Sequence, residues 1–142
     1  MATAQNVAAY ILQKRGTMTS MKLQKLVYYC QAWSLVWDEK PLFSDRIEAW
    51  ASGPVVRSLY EHHRGLFTIS NIGGKPDSLS DIEKETVDAV LSFYGDKSSQ
   101  WLSDLTHQEE PWLKARKGLG PMDRGNREIT IDSMMEYYSS LQ

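Results

Sequence analysis

The sequence predicts a mainly α-helical protein, built as a single compact domain of about six to seven helices around one central buried helix, residues 20–37. Three observations lead to this prediction. The stretch KLQKLVYYCQAWSLVW, residues 22–37, carries apolar side chains around most of a helical circumference, as helices in the middle of a domain do. Further segments with helical periodicity recur along the chain, separated by glycine or proline. The length of 142 residues suits one domain.

The central helix has two apolar faces and therefore needs neighbours on both sides. One face carries Leu23, Leu26, Val27, Cys30, Trp33, Ser34 and Trp37, and the other carries Met21, Tyr28, Ala32, Leu35 and Val36. Thr19 or Ser20 is expected to cap the first amides with its side-chain oxygen. Lys40-Pro41 is expected to end the helix, because the residue before a proline is pushed out of the helical region.

Composition and charge narrow the class of protein. The formal net charge is -2, and the only close group of cations is Lys114, Arg116 and Lys117, so strong direct binding to nucleic acid is not expected. No window reaches the roughly 20 apolar residues of a membrane span, and the first residues do not resemble a secretion signal. The single cysteine, Cys30, has no partner for an internal disulfide. These features predict a cytoplasmic protein without membrane association.

The first half of the chain is divided by glycine and proline. A first helix over about residues 3–15 is expected to stop at Gly16. The segment RIEAW, residues 46–50, suits either a short strand or a loop. Gly53-Pro54 is then expected to open a third helix that ends near Gly65, because proline suits the first helical position. Residues 65–79 are expected to form an irregular, exposed connection.

The second half begins with a capping box, in which Ser80 and Glu83 satisfy each other's backbone amides. The helix that follows is expected to bury one stripe and to end at Gly95; the stripe consists of Ile82, Thr86, Ala89, Val90 and Phe93. Three more helices are expected, over about residues 98–105, from Pro111 to Gly118, and over about residues 133–141. A two-stranded β pair between RIEAW and REITI, residues 127–131, is an alternative to loops at those places.

The search for a reaction centre is negative. Cys30 with His62, His63 or His107 has the residue types of a thiol and its base, but Cys30 lies in the apolar stripe of the central helix, where an inert cysteine is the better interpretation. No spacing typical of a zinc site occurs, and Gly73-Gly74-Lys75 lacks the remaining residues of a phosphate loop. We therefore predict no catalytic, metal or cofactor site, and a protein that is not an enzyme.

Three sequence blocks resemble the Panacea domain, also called the SocA-like or phage-associated GepA-like family. The blocks are KLQKLVYYCQAW, then PLF followed by IEAWASGPVVRSLY, and then LTHQEEPWLKAR. The resemblance covers nearly the whole chain, residues 1–142, from the first helix to the terminal EYYSSL. Cys30 departs from the family pattern, in which a small residue such as alanine is usual.

The resemblance implies a mainly helical fold and the function of an antitoxin. Members of the family neutralise the toxin of a two-gene toxin–antitoxin system in bacteria and phages by binding it directly. One branch acts instead as an adaptor that delivers its toxin to a protease. A small phage or prophage enzyme is the remaining alternative. The partner implied is therefore a cognate toxin, with a protease and a homo-oligomer left open.

Six residues of the motifs are candidates for contact with a partner: Lys25, Trp50, Tyr60, His107, Trp112 and Arg116. The aromatic ones belong to the residue types enriched in interface hot spots. Each also has a structural explanation, since the aromatic rings suit a core and the cations suit ion pairs with Glu48 or Glu61. His107 is also suited to fixing a turn. If these residues build the scaffold, toxin choice is expected on variable surface such as residues 65–79.

Overall fold

The computed structural model describes all residues, 1–142, and confirms a mainly α-helical compact domain. The seven helices are α1 (Ala4–Arg15), α2 (Ser20–Trp37), α3 (Arg57–His63), α4 (Asp81–Tyr94), α5 (Ser99–Thr106), α6 (Glu110–Ala115) and α7 (Ile131–Ser139). The strands are β1 (Met18–Thr19), β2 (Ile47–Trp50), β3 (Gly53–Val56) and β4 (Thr68–Ile69), and a short 3-10 helix covers Pro76–Ser78. None of the helices combines the length and the apolar character needed to span a bilayer.

Helix α2 lies at the centre of the fold, as predicted. It packs against α1, α4, α5, α7 and strand β3, so both of its faces are covered. The Thr19 hydroxyl accepts a hydrogen bond from the Lys22 amide at 3.1 Å, which caps the first turn. The last helical residue is Trp37. The predicted bounds of this helix are confirmed, and so is its burial except at the C-terminal end, where Trp37 is 44% exposed.

Helix α4 begins with the predicted capping box between Ser80 and Glu83. The predicted buried stripe is wrong, because Ile82 and Phe93 are 56% and 60% exposed. The helix instead buries a neighbouring face, consisting of Thr86, Val87, Val90, Leu91 and Tyr94. Tyr94 stacks on Tyr29 of α2 with 4.2 Å between ring centroids, and this contact sets the rotation of α4.

Strands β2 and β3 form an antiparallel hairpin, and the prediction that Gly53-Pro54 opens a helix is wrong. Pro54 lies within β3 and pairs with Ala49 of β2, and α3 begins only at Arg57. The Ala49 amide points away from Pro54 and donates to the Arg127 carbonyl at 2.8 Å. Proline is tolerated at this position because no ladder hydrogen bond is required from its nitrogen.

The predicted pairing of RIEAW with REITI exists only as a single antiparallel bridge, between Glu48 and Glu128. The main partner of β2 is β3, and α7 starts at Ile131, two residues before the expected position. Most of the segment 65–79 is exposed, as predicted, but the segment is not irregular throughout. Its strand β4 pairs with β1, and it buries three apolar side chains under the domain surface: Ile69, Ile72 and Leu79.

Candidate partner-binding surface

Two neighbouring cavities meet at the tip of the β2–β3 hairpin. The first has a volume of about 650 Å³ and lies between α2, α3, α5 and the hairpin. The second, of about 670 Å³, lies between the hairpin, α3 and the loop around Arg124. Ser52 and Tyr60 line both, and the Tyr60 ring meets the Trp50 ring edge-on at a centroid distance of 4.8 Å. We call the two cavities together the hairpin groove.

Lys25 lines the first cavity from α2, and its side chain is almost fully buried, with 1% exposure. Its ammonium group makes one hydrogen bond, to the Pro54 carbonyl at 3.4 Å, and no salt bridge. The alternative of an ion pair with Glu48 or Glu61 is wrong, because those carboxylates pair with Arg46 and Arg57. Burial without a counter-charge lowers the pKa of Lys25 to about 7.

Gly53 is the residue that makes room for the Lys25 side chain. A β-carbon at this position lies 2.6 Å from Lys25 Cε, which is closer than real contacts permit. The backbone of Gly53 has φ of 115°, a conformation that residues with a β-carbon rarely adopt. The backbone angle therefore favours glycine, and a β-carbon would in addition force the end of the buried Lys25 side chain to move.

His63 and Gln24 form a buried polar pair behind the same cavity. The Gln24 amide donates to the Val56 carbonyl at 3.2 Å, accepts from the Val56 amide at 2.8 Å, and lies 2.9 Å from His63 Nε2. Burial lowers the pKa of His63. The accepting role of Nε2 follows from the amide donor that faces it. Sequence reasoning missed this pair, although a glutamine inside an apolar helix was the available signal.

Three of the predicted site residues hold consecutive carbonyl groups of the hairpin. Arg116 Nη1 donates to Ala49 O at 3.0 Å, and Trp112 Nε1 donates to Trp50 O at 2.8 Å. His107 Nε2 lies 2.9 Å from Ala51 O, and its other ring nitrogen lies 2.6 Å from Ser103 O. We call these three contacts the carbonyl clamp.

The carbonyl clamp explains why the motif blocks belong together. The LTHQEEPWLKAR block supplies the clamp, the IEAWASGPVV block supplies the hairpin, and Lys25 of the first block lies under Gly53. Arg116 also donates to Gly120 O and Asp123 O, at 3.0 and 2.7 Å, and its guanidinium lies over the Trp112 ring. The structure thus brings all six predicted residues to the hairpin. Lys25, Trp50 and Tyr60 line the groove, and His107, Trp112 and Arg116 lie behind it.

A buried carboxylate lies deeper in the same region. Glu109 is 4% exposed, and its Oε1 atom accepts hydrogen bonds from the hydroxyls of Tyr29 and Tyr138, both at 2.7 Å. The Tyr28 hydroxyl lies 3.0 Å from that of Tyr138. Burial raises the pKa of Glu109, and the two tyrosine donors oppose that shift. This network joins the turn after α5 to α2 and α7.

Cys30 is fully buried in α2, as predicted, and burial raises the pKa of its thiol. A thiol in this environment stays protonated and is a weak nucleophile. Its role is that of a small apolar side chain packed inside the core.

The hairpin groove has a distinct charge. Lys25, Arg57 and Arg124 line it, whereas no aspartate or glutamate lines either cavity. The chain as a whole has a net charge of -2, so the positive charge of the groove is opposite in sign to the net charge of the protein. A cationic concavity on an acidic protein favours ligands or partners that carry carboxylates or other anions.

Comparison with protein-family models gives a match over residues 23–113 to the family described as "Antitoxin SocA-like, Panacea domain". The chain belongs to this family. The matched span contains the hairpin, most residues of the groove and two members of the clamp, His107 and Trp112; the groove residues outside it are Thr19, Ser20, Met21 and those of the loop at 122–126. Comparisons with curated proteins and with solved structures found no match.

Proposed function

We propose that this Panacea-domain protein is the antitoxin of a two-gene toxin–antitoxin system, which neutralises its toxin by direct binding in a complex of defined stoichiometry. The observation that carries the proposal is membership of a family described as SocA-like antitoxins. In this proposal the protein presents a surface to another protein and does not catalyse a reaction. The hairpin groove is the surface we propose for that contact.

The groove has the composition of a protein-binding site. Trp50 and Tyr60 form its central wall, and tryptophan and tyrosine are enriched among residues that dominate binding energy. The rims carry apolar side chains that no part of the chain covers: Phe67 is 82% exposed beside the first cavity, and Met122 is 87% exposed beside the second. Exposed apolar side chains around a cationic centre are typical of a surface that binds another protein.

The predicted residues divide into two roles in this proposal. Trp50 and Tyr60 line the groove, are partly exposed and face the toxin, whereas Lys25 is a buried part of the wall of the first cavity. His107, Trp112 and Arg116 support binding by holding the hairpin in one position through the carbonyl clamp. A rigid surface loses less conformational entropy when a partner binds, so the clamp contributes to affinity without touching the toxin.

We propose that the Panacea domain extends over residues 1–142. Helices α1 and α7 lie entirely outside the matched span, yet both pack on α2, and buried side chains of both belong to the same hydrophobic cluster. We place the complex in the cytoplasm, where a lone buried thiol such as Cys30 remains reduced. Light scattering of the purified chain measures whether it self-associates.

Coexpression with the product of the adjacent gene tests the function. The expected result is restored growth of cells that express this product, together with copurification of the two proteins as a complex. A product that stays toxic and does not copurify overturns the proposal.

The two alternative functions give different results in the same cells. Proteolytic delivery shortens the half-life of the toxin when this protein is present, whereas neutralisation by binding leaves the half-life unchanged or lengthens it. An enzymatic function requires turnover of a substrate by the isolated chain. In either of those cases neutralisation by a stable complex is rejected.

A further inference from the structure

The first cavity of the hairpin groove contains a charged group that the protein itself does not satisfy. The ammonium group of Lys25 has three hydrogen atoms, and its one hydrogen bond reaches the Pro54 carbonyl at the long distance of 3.4 Å. The residue is 1% exposed, so bulk water does little to solvate it. A buried ammonium without an anion is costly, and proteins usually pair it.

The protein offers no anion within the groove. Glu48 and Glu61, the carboxylates that the sequence offered as partners for Lys25, are paired instead with Arg46 and Arg57, at 3.0 Å in each case. Of the three cations that line the groove, only Arg57 takes part in a salt bridge. Ser52, Tyr60 and Ser103 add hydroxyl donors to the lining of the first cavity. The first cavity therefore offers hydrogen-bond donors to an anion but contains no anion of the protein's own.

Resting on the toxin-binding function proposed above, we propose that the first cavity receives an aspartate or glutamate side chain of the bound toxin, which forms an ion pair with Lys25. The volume of about 650 Å³ accommodates a short segment of the partner around that carboxylate. The apolar rim at Leu66 and Phe67 covers the rest of the segment. Arg57 and Arg124, in the adjoining cavity across Tyr60, extend the same preference for acidic sequence.

Binding of this carboxylate changes the protonation of Lys25. Because burial lowers the pKa of Lys25 to about 7, the amine is mostly neutral in the free protein at pH 8.5. An anion placed beside it favours the ammonium form and raises its pKa again. The protein therefore takes up a proton as the complex forms, and the proton comes from the buffer. A lysine with a purely structural role produces no such uptake.

The experiment measures binding of the purified toxin, the product of the adjacent gene, to the full chain by calorimetry at pH 8.5 in two buffers of different ionisation enthalpy. We expect uptake of about one proton per complex for the wild type and none for Lys25→Met. The same substitution is expected to weaken binding by about tenfold or more, because the toxin carboxylate then lies buried without a partner. Lys75→Met, which removes an exposed lysine outside the groove, is the control and is expected to match the wild type.

The outcomes separate the two proposals. If the wild type forms no complex with the toxin, the function proposed above is rejected, and this inference is rejected with it. If the complex forms without proton uptake in the wild type, only the inference is rejected. The wild-type measurement does not depend on the folding of any variant. A complex that forms equally well with Lys25→Met also overturns the inference.

Discussion

The burial of Lys25 lowers the stability of the fold but places a cationic group in the wall of the proposed binding site. It occupies a buried position in the N-terminal half of α2 where an apolar side chain is expected, and it has no anionic partner. Functional sites commonly keep groups that the fold alone does not favour. The lysine and the glycine that accommodates it are therefore expected to behave differently from ordinary core residues.

Lys25→Met is expected to stabilise the protein, and more so at low pH. The folded pKa is about 7 against 10.5 unfolded, so between these values the unfolded state binds more protons and stability rises with pH. The full penalty applies below pH 7. The gain from the substitution is expected to be about 3 kcal/mol or more at pH 6 and to be smaller by about 2.6 kcal/mol at pH 9. Urea denaturation at both pH values measures it, and a gain independent of pH contradicts the explanation.

Gly53→Ala is expected to destabilise the protein by about 3 kcal/mol, because the new methyl group meets Lys25 Cε and the backbone angle becomes strained. Gly118→Ala is the matched control. Gly118 also has a positive φ, of 87°, but nothing lies within 4 Å of its added β-carbon, so it is expected to show only the backbone strain, about 1 kcal/mol. Equal losses for the two variants in thermal unfolding argue against the steric contact.

At the scale of the elements, the β2–β3 hairpin is stabilised by contacts with the segment that contains α6 and the residues flanking it. A two-stranded hairpin is marginally stable alone, and this one has strands of four residues each. The carbonyl clamp supplies additional hydrogen bonds to three consecutive residues of the β2 end and tip. The position of the groove wall therefore depends on His107, the residue after α5, on Trp112 in α6, and on Arg116, the residue after α6.

Arg116→Met is expected to lower the free energy of unfolding by about 3 kcal/mol, because three carbonyl groups lose a charged donor. Lys117→Met is the control: this neighbouring lysine is exposed, and its loss is expected to change stability by at most about 0.5 kcal/mol. Chemical denaturation compares the two. If Arg116→Met is as stable as Lys117→Met, the clamp does not hold the hairpin.

At the scale of the whole molecule, the groove lies at the edge of the core. A single cluster of 35 buried residues is built around α2, and the groove opens between α2, the hairpin, α3, α5 and the loop around Arg124. Exposed groove residues contribute little to folding, so their replacement is expected to separate binding from stability.

Phe67→Ala is expected to weaken toxin binding by about tenfold while leaving the melting temperature nearly unchanged, because this side chain is 82% exposed in the free protein. Ile82→Ala, at a 56% exposed position on α4, is the control for loss of apolar surface elsewhere. Titration of the toxin against each variant gives the affinities. Equal effects of the two substitutions place the toxin elsewhere on the surface.

The helical class, the place of α2 and the capping box of α4 were predictable because they depend on neighbouring residues. Periodicity, caps and glycine stops act within a few positions, and Thr19, Ser80 and Gly16 carry these signals plainly. The stripe on α4 was predicted wrongly, because the apolar pattern permits two adjacent faces. The contact of Tyr94 with Tyr29 of α2 selects one of them.

The hairpin and its groove depend on partners that are far apart in the chain. Gly53-Pro54 has the local pattern of a helix start, yet it forms a strand, because β2 lies beside it and the Ala49 carbonyl is held by Arg116 across 67 positions. In the same way, a lysine in α2 reveals its missing counter-charge only when the hairpin and α5 close the cavity around it. Local propensity cannot specify such contacts, since burial and charge pairing are properties of the assembled domain.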